Sequence, residues 1–275
     1  MPVIAYLNCF FINFQSMKPQ ILLRSVLLIA LIFSRHSSFA QSLARAERTL
    51  CRQLQTIDSF SEAFRGPNHN LDAYDSISRY DSLFGEMLQQ LTAGNPASLH
   101  YPFTRLQNQG VTITTSSDGY LRIYSWDGQT GGTAHNANNI YQYRTDGKVY
   151  STLTIVDGGP GDSYSAIYLF KTGNKTYYLA VSEAIIATLQ VHASLEILQL
   201  EGHRLRSSVP LIRTASGMTG TLGLDYTLGN DRDADFHFNT ATGTITFPVV
   251  LEDGHVTKRK ISYTFNGKYF VRANN

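Results

Sequence analysis

Charge is the scarcest property of this 275-residue chain: Asp, Glu, Lys and Arg make up 16% of it, 23 basic against 21 acidic residues. Globular chains carry about a quarter, so a solvated charged tail or a coiled coil is disfavoured. With 43% apolar residues, a packed core is expected. Cysteine is almost absent. Cys9 lies near the N-terminus and Cys51 stands alone downstream, which leaves no disulfide framework and no thiolate metal site beyond the N-terminal leader. No basic cluster provides an electrostatic footprint for nucleic acid. No apolar run reaches the roughly 20 residues of a membrane-spanning helix; the longest is Val26 to Phe33.

What is present begins with an export signal. Residues 1–40 hold Lys18, Arg24 and Arg35 and no acid. The run Val26 to Phe33 is followed by Ser38 and Ala40, small residues at the third and first positions before Gln41, which suits a signal peptidase. Cleavage after Ala40 is expected, with Met17-Lys18 opening a signal of ordinary length and Met17 a candidate true start. Removal of the three cations shifts the formal net charge from +2 to −1. The location read from this is periplasmic or extracellular, with no membrane span in the mature chain. Cys51 follows Arg48-Thr49-Leu50, not the small residues that precede a lipidated cysteine, and is expected to pack as a small apolar residue.

Two helices are expected next. Leu43, Ala46, Leu50, Leu54, Ile57 and Phe64 recur mostly three or four apart, and Gly66-Pro67 ends the run. Tyr74, Ile77, Phe84, Leu88 and Leu91 repeat the spacing, with Asn70 as cap and Gly94-Asn95-Pro96 as stop. Residues 41–100 therefore read as a helical hairpin whose apolar stripe packs on the domain C-terminal to it.

From residue 101 the period changes to two. Leu121 and Ile123 alternate with Tyr120, Arg122 and Tyr124, and similar runs lie at 149–155, 164–170, 176–181, 194–200, 221–227, 234–238, 244–251 and 258–265. Between them stand Asp118-Gly119, Asp146-Gly147, Gly173-Asn174, Gly229-Asn230, Asp253-Gly254 and Asn266-Gly267. The fold class is mainly β: a helical hairpin followed, over 101–275, by an antiparallel β-meander. Sandwich, barrel and blade-like sheets all remain open, and the chain is too short for a closed propeller. Residues 203–218 are strand-poor apart from Val209 to Ile212, as expected of a bridge between sheets.

The segment Ser116 to Asp127, then Gly131-Gly132-Thr133 and Asn139-Ile140-Tyr141-Gln142-Tyr143, resembles exported β-rich proteins of Bacteroidetes-type bacteria, as does the leader ending Phe39-Ala40-Gln41. The resemblance covers roughly residues 70–200. It implies an exported envelope protein and carries no catalytic residue across.

The chemistry is weighed by elimination. Gly132-Thr133-Ala134-His135 and Gly161-Asp162-Ser163 resemble the boxes of trypsin-like proteases. Ser163, however, precedes Tyr164 instead of glycine and lies only 28 positions from His135, too close for two barrels. Ser163 is expected to open a strand. Asp231, Asp233 and Asp235 alternate, so an extended segment places them on one face, continued by His237, where calcium is the candidate ion. Phe236 occupies the glycine position of a calcium loop, and the competing reading has Ala234, Phe236 and Phe238 in the core beneath a solvated acidic edge. No other cofactor is expected.

Recognition chemistry is the stronger trace. Tyr120, Tyr124 and Trp126 share one strand face, and Tyr141 and Tyr143 share another. The loop after Trp126 adds Asp127, Gln129, His135, Asn136 and Asn138 over flexible glycines. Trp126, Asp127, Gln129, His135 and Asn138 are the candidate ligand-binding residues, competing with a reading in which the rings only pair across strands. Glu183, Glu196, Glu201, Asp225 and Glu252 are carboxylates available to a hydrolase, with no pair distinguished. The leading expectation is a non-enzymatic binding domain for a glycan, a peptide or an envelope protein. An envelope polysaccharide hydrolase and a structural assembly component are the alternatives.

Overall fold

In the computed structural model, which describes residues 19–67, 71–156, 159–229 and 234–273, five of the six glycine dipeptides fall where one strand turns back on the next, and Asn230 of the sixth lies outside the described residues. Gly119, Gly147, Gly173, Gly229, Gly254 and Gly267 all have positive φ. At Asp146-Gly147 both residues do, at 50° and 74°, which closes a two-residue loop whose twist matches that of the paired strands.

The chain forms a smaller unit, Met1–Arg45, and a larger one, Ala46–Asn275. Residues 1–18, the start of the expected leader, lie outside the described residues. The smaller unit is helical from Pro19, within helix α1 (Pro19–Arg65). Among the described residues no helix is long and apolar enough to cross a membrane.

The larger unit opens with the remainder of α1 and with α2 (Leu71–Gly94). Phe60 stacks on Tyr80 and Phe64 meets Tyr74, each with ring centroids 5.5 Å apart, so the two helices run in opposite directions as a hairpin. The expected cap Asn70 lies outside the described residues. Asn95 caps a 3-10 turn, Pro96–Leu99, by accepting from the Ala97 N–H at 3.1 Å. A one-turn helix α3 (Thr104–Gln107) follows Phe103, whose φ of 49° is held by a ring buried between Tyr101 and Tyr124. Cys51 is buried and unpaired, and its thiol pKa is pushed up chiefly by that burial.

Strands β1 (Thr112–Thr115), β2 (Leu121–Asp127), β3 (Ala137–Thr145) and β4 (Lys148–Thr154) form a first sheet in sequential antiparallel order. The second sheet holds β5 (Ser163–Thr172), β6 (Lys175–Ala187), β7 (Gln190–Glu201) and β11 (Thr221–Thr227) in the order β11-β7-β6-β5, with β8 (Arg204–Arg206) paired beside β7. The third contains β9 (Ile212–Thr214), β10 (Gly217–Thr219), β12 (His237–Asn239), β13 (Thr244–Val250), β14 (Val256–Phe265) and β15 (Phe270–Arg272), in the order β10-β9-β15-β14-β13-β12. The segment 203–218 does lead from the second sheet to the third, through three short strands. Among the described residues one pair breaks the antiparallel rule: β15 runs parallel to β9. Asn266-Gly267 lies in a four-residue loop, tied by Asn266 Oδ1 accepting from the N–H groups of Lys268 and Tyr269 at 3.0 Å each.

The sheets are open and stacked; among the described residues none closes into a barrel. The second sheet is the middle layer. Residues 191, 193, 195 and 197 of β7 point to a core shared with the third sheet, which includes Phe170, Phe238, Ile245, Phe247, Tyr263 and Phe270. Leu198, with Tyr178 and Ala180 of β6, faces Leu121, Ile123 and Tyr143 of the first sheet. The hairpin covers the other face of the first sheet, where Phe84 and Leu88 are buried. Gly85 permits the approach: a Cβ there would stand 3.2 Å from Leu153 and 3.3 Å from the Trp126 ring. The result is a succession of helices, sheet, sheet and sheet, in which β2 and the centre of β6 are buried on both faces.

Candidate functional site

The loop singled out in the sequence divides into an internal and an external half. Trp126 and Asn138 are register partners on β2 and β3. Both donate to Asp81 of α2, the indole Nε1–H to Oδ1 and the amide Nδ2–H to Oδ2, each at 2.7 Å. Asn138 Oδ1 accepts from the Val156 N–H at 2.8 Å. Trp126 is 3% exposed, and its ring meets Phe84 edge-on with centroids 5.1 Å apart. The expectation that Trp126 and Tyr124 offer exposed rings is therefore corrected: their strand face is the one the hairpin covers. Of that face only Tyr120, just before the strand begins, is exposed. Burial holds the Asp81 carboxyl above the usual carboxylate range, opposed by its two hydrogen bonds and reinforced by the charge of Asp127.

Asp127, Gln129 and His135 lie at the surface, with their polar atoms engaged. The Asp127 carboxylate accepts from the Gln129 N–H at 2.8 Å and stands 3.1 Å from His135 Nδ1. Gln129 Nε2 donates to Asp58 of α1 at 2.5 Å, and Asn136 Nδ2 donates to Thr130 Oγ1 at 3.0 Å. This is a self-bonded loop fastened to the hairpin. His135 pairs with Asp127, while Ser163 begins β5. The glycine before it has a packing reason: a Cβ at Gly161 would collide with the backbone of Ala137.

The other aromatic face, that of Tyr141 and Tyr143, opens on a cleft between the first and second sheets. Its volume is about 410 Å³, and it is lined by these two rings, Thr152 and Thr154 of β4, Glu196 and Leu198 of β7, and Arg204, Leu205 and Ser207 beyond. Tyr141 donates its hydroxyl to that of Tyr164 at 2.9 Å, and Tyr164 OH lies 3.5 Å from Glu196 Oε2, a weak contact. Glu196 Oε1 is fixed by the N–H and hydroxyl of Ser208 at 2.9 and 2.7 Å. Tyr150 stacks on Tyr143 and bonds His203 Nδ1 at 3.0 Å, extending the aromatic wall. Burial raises the Tyr141 hydroxyl to about 12 and Tyr164 still further, so both stay neutral donors at physiological pH. The cleft thus combines ring faces, hydroxyls, one carboxylate and one guanidinium.

The other carboxylates are placed elsewhere. Glu183 accepts from Tyr226 OH at 2.9 Å, and Glu201 pairs with Arg206 at 2.7 Å. Asp225 and Glu252 line a depression of about 270 Å³, where Asp225, 72% exposed, is paired with His192 at 2.6 Å. Of the metal candidates, Asp231 and Asp233 lie outside the described residues. Asp235 and His237 are exposed beside Lys258 and Lys260 in a depression of about 450 Å³, while Ala234, Phe236 and Phe238 are buried. Among the described residues no three metal-ligating side chains converge.

Several buried polar groups were not legible in the sequence. Arg122 Nη1 donates to the carbonyls of Ser98 and Tyr101 at 2.7 Å each, with its guanidinium over the rings of Phe103 and Tyr124. Gln142 donates to Thr92 O and Ser98 Oγ and accepts from Tyr124 OH. These groups fasten the first sheet to the helical segment. The only signal was an Arg and a Gln at strand positions facing away from the apolar run. Compared with known proteins, the chain matches no family model and no curated protein.

Proposed function

We propose that the larger unit is a non-enzymatic binding domain, exported from the cytoplasm, that takes a glycan in the cleft between the first and second sheets. The observation that carries this reading is the placement of the partly exposed Tyr141 ring beside Glu196, Arg204 and two threonine hydroxyls in one concave space, with the buried Tyr143, stacked on Tyr150, beneath it. Ring faces pack on the apolar faces of sugars, and fixed polar groups select the orientation of their hydroxyls. The single lining carboxylate favours binding over two-carboxylate hydrolysis. Export is supported by the order of basic, apolar and small residues over 17–40.

A calorimetric screen of the full chain against envelope-type oligosaccharides tests the reading. Glu196→Gln and Arg204→Ala are each expected to weaken the best ligand about tenfold, equivalent to about 1.4 kcal/mol, with the melting temperature little changed. Equal affinity in both variants would remove the ligand from this cleft, and no glycan binding at all would end the proposal.

A further inference from the structure

A second concave site lies on the helical side of the larger unit. Arg48 and Arg52 stand one turn apart on α1, so their side chains leave the same helix face. Arg105 of α3 joins them, and with Cys51, Asn108 and Gln109 the three arginines line a depression of about 350 Å³ that has no carboxylate in its wall. Like charges at this spacing repel in the absence of a counter-charge.

Glu47, next to Arg48 in the chain, is committed elsewhere. It is buried; Oε1 accepts from the N–H groups of Arg105 and Leu106 at 2.7 and 3.4 Å, and Oε2 accepts from Tyr101 OH at 3.0 Å. It therefore fixes the backbone that presents Arg105 without bonding a guanidinium. Among the described residues, none of the ion pairs involves Arg48, Arg52 or Arg105. A second, independent feature is Gln109, whose Oε1 is buried with no donor in the protein.

We propose that this depression binds a phosphate group. Guanidinium forks match phosphate oxygens bidentately, and three of them offset a dianion. Phosphate monoesters titrate near pH 6, so a fraction still carries an O–H near neutrality that the buried Gln109 Oε1 would accept once its amide turns into the depression; a sulfate has none. The same chemistry is offered by a soluble sugar phosphate and by a phosphomonoester lipid headgroup.

The test is calorimetric titration of the full chain with sodium phosphate and with sodium sulfate at matched ionic strength, beside Arg52→Ala, Arg105→Ala and Gln109→Leu. Saturable phosphate binding is expected, at least tenfold weaker in each arginine variant, with the preference over sulfate reduced in Gln109→Leu. Circular dichroism and melting establish that each variant is folded, and Arg105→Lys replaces any that is not, with a smaller expected loss. Two further arms identify the source: glucose 1-phosphate in solution, and flotation with vesicles of phosphatidic acid in phosphatidylcholine. Loss of either interaction in the arginine variants supports the site and assigns its ligand to that arm. No saturable phosphate binding, or binding unaltered in Arg52→Ala and Arg105→Ala, overturns it.

Discussion

Replacing Trp126 by phenylalanine isolates the contact that joins the hairpin to the first sheet. The smaller ring still fits against Phe84, while Asp81 Oδ1 loses the indole donor at 2.7 Å and is left buried without it. A hydrogen bond to a charged group contributes about 1.5–3 kcal/mol, and the smaller ring adds about 1 kcal/mol of lost packing. The expected loss is about 2.5–4 kcal/mol, or roughly 5–16 °C in melting temperature for a unit of this size. The pH dependence gives the sign. In the folded protein Asp81 holds its proton to higher pH than the ordinary 3.8, so stability linked to this group is full below the unfolded value and declines as pH rises through the folded one. Loss of the indole donor, which favours the carboxylate, raises the folded value further. The deficit of Trp126→Phe should therefore be largest near neutrality and shrink on acidification, as Asp81 takes up its proton and no longer needs that donor. Far-ultraviolet melting across a pH series from neutral to acid measures both quantities. A variant as stable as the parent, or a deficit that grows on acidification, would refute the reasoning.

Two other expectations arise from buried groups. Gly161→Ala forces a Cβ into the backbone of Ala137 and strains the bond from Gly161 N–H to His135 O, so it should lower stability by about 1–3 kcal/mol or more, read as a shift in the urea midpoint. An unchanged midpoint would mean that β3 and β5 separate easily. Tyr124, Tyr141, Tyr164 and Tyr178 all have hydroxyl pKa values raised by burial, so the fold holds their protons above about pH 10 while the unfolded chain releases them. Stability should fall as pH rises from there. Phenolate absorbance should show these rings ionising only together with unfolding, and early ionisation of all tyrosines would contradict their burial.

Local chemistry was readable and face assignment was not. Positive φ, the paired helices, the strand opening at Ser163 and the edge pattern of 234–238 stem from residue types a few positions apart. That β2 is buried on both faces does not, because Tyr124 and Trp126 suit either an exposed platform or a buried layer with polar partners. The partner that decides, Asp81, precedes Trp126 by 45 residues on a helix. The cleft was hidden for the same reason: Tyr141 and Glu196 come from different sheets, and among five carboxylates nothing local marked Glu196. The short strands β8 to β10 and the parallel pairing of β9 with β15 likewise rest on neighbours supplied by distant segments.

The position of the cleft reflects an asymmetry within the middle sheet. Toward the third sheet, β7 offers Val191, Ala193, Leu195 and Ile197, and aromatic rings from β5, β13 and β15 close that interface. Toward the first sheet the alternate positions are Ser194, Glu196 and Leu198. Ser194 and Ser182 bond each other at 2.9 Å, and Ser182 reaches Asp162 at 3.0 Å. A layer built only for stability would be apolar on both sides, since replacing paired buried polar groups by apolar ones of the same shape is often neutral or stabilising. The polar row instead keeps one side of the middle sheet hydrogen-bonding, and it leads to the place where Tyr141 and Tyr143 stand opposite Glu196. A cleft lined by polar groups and a tyrosine ring beside the apolar core of this interface is where the proposed ligand would exchange its hydration for fixed partners with the least rearrangement of the fold.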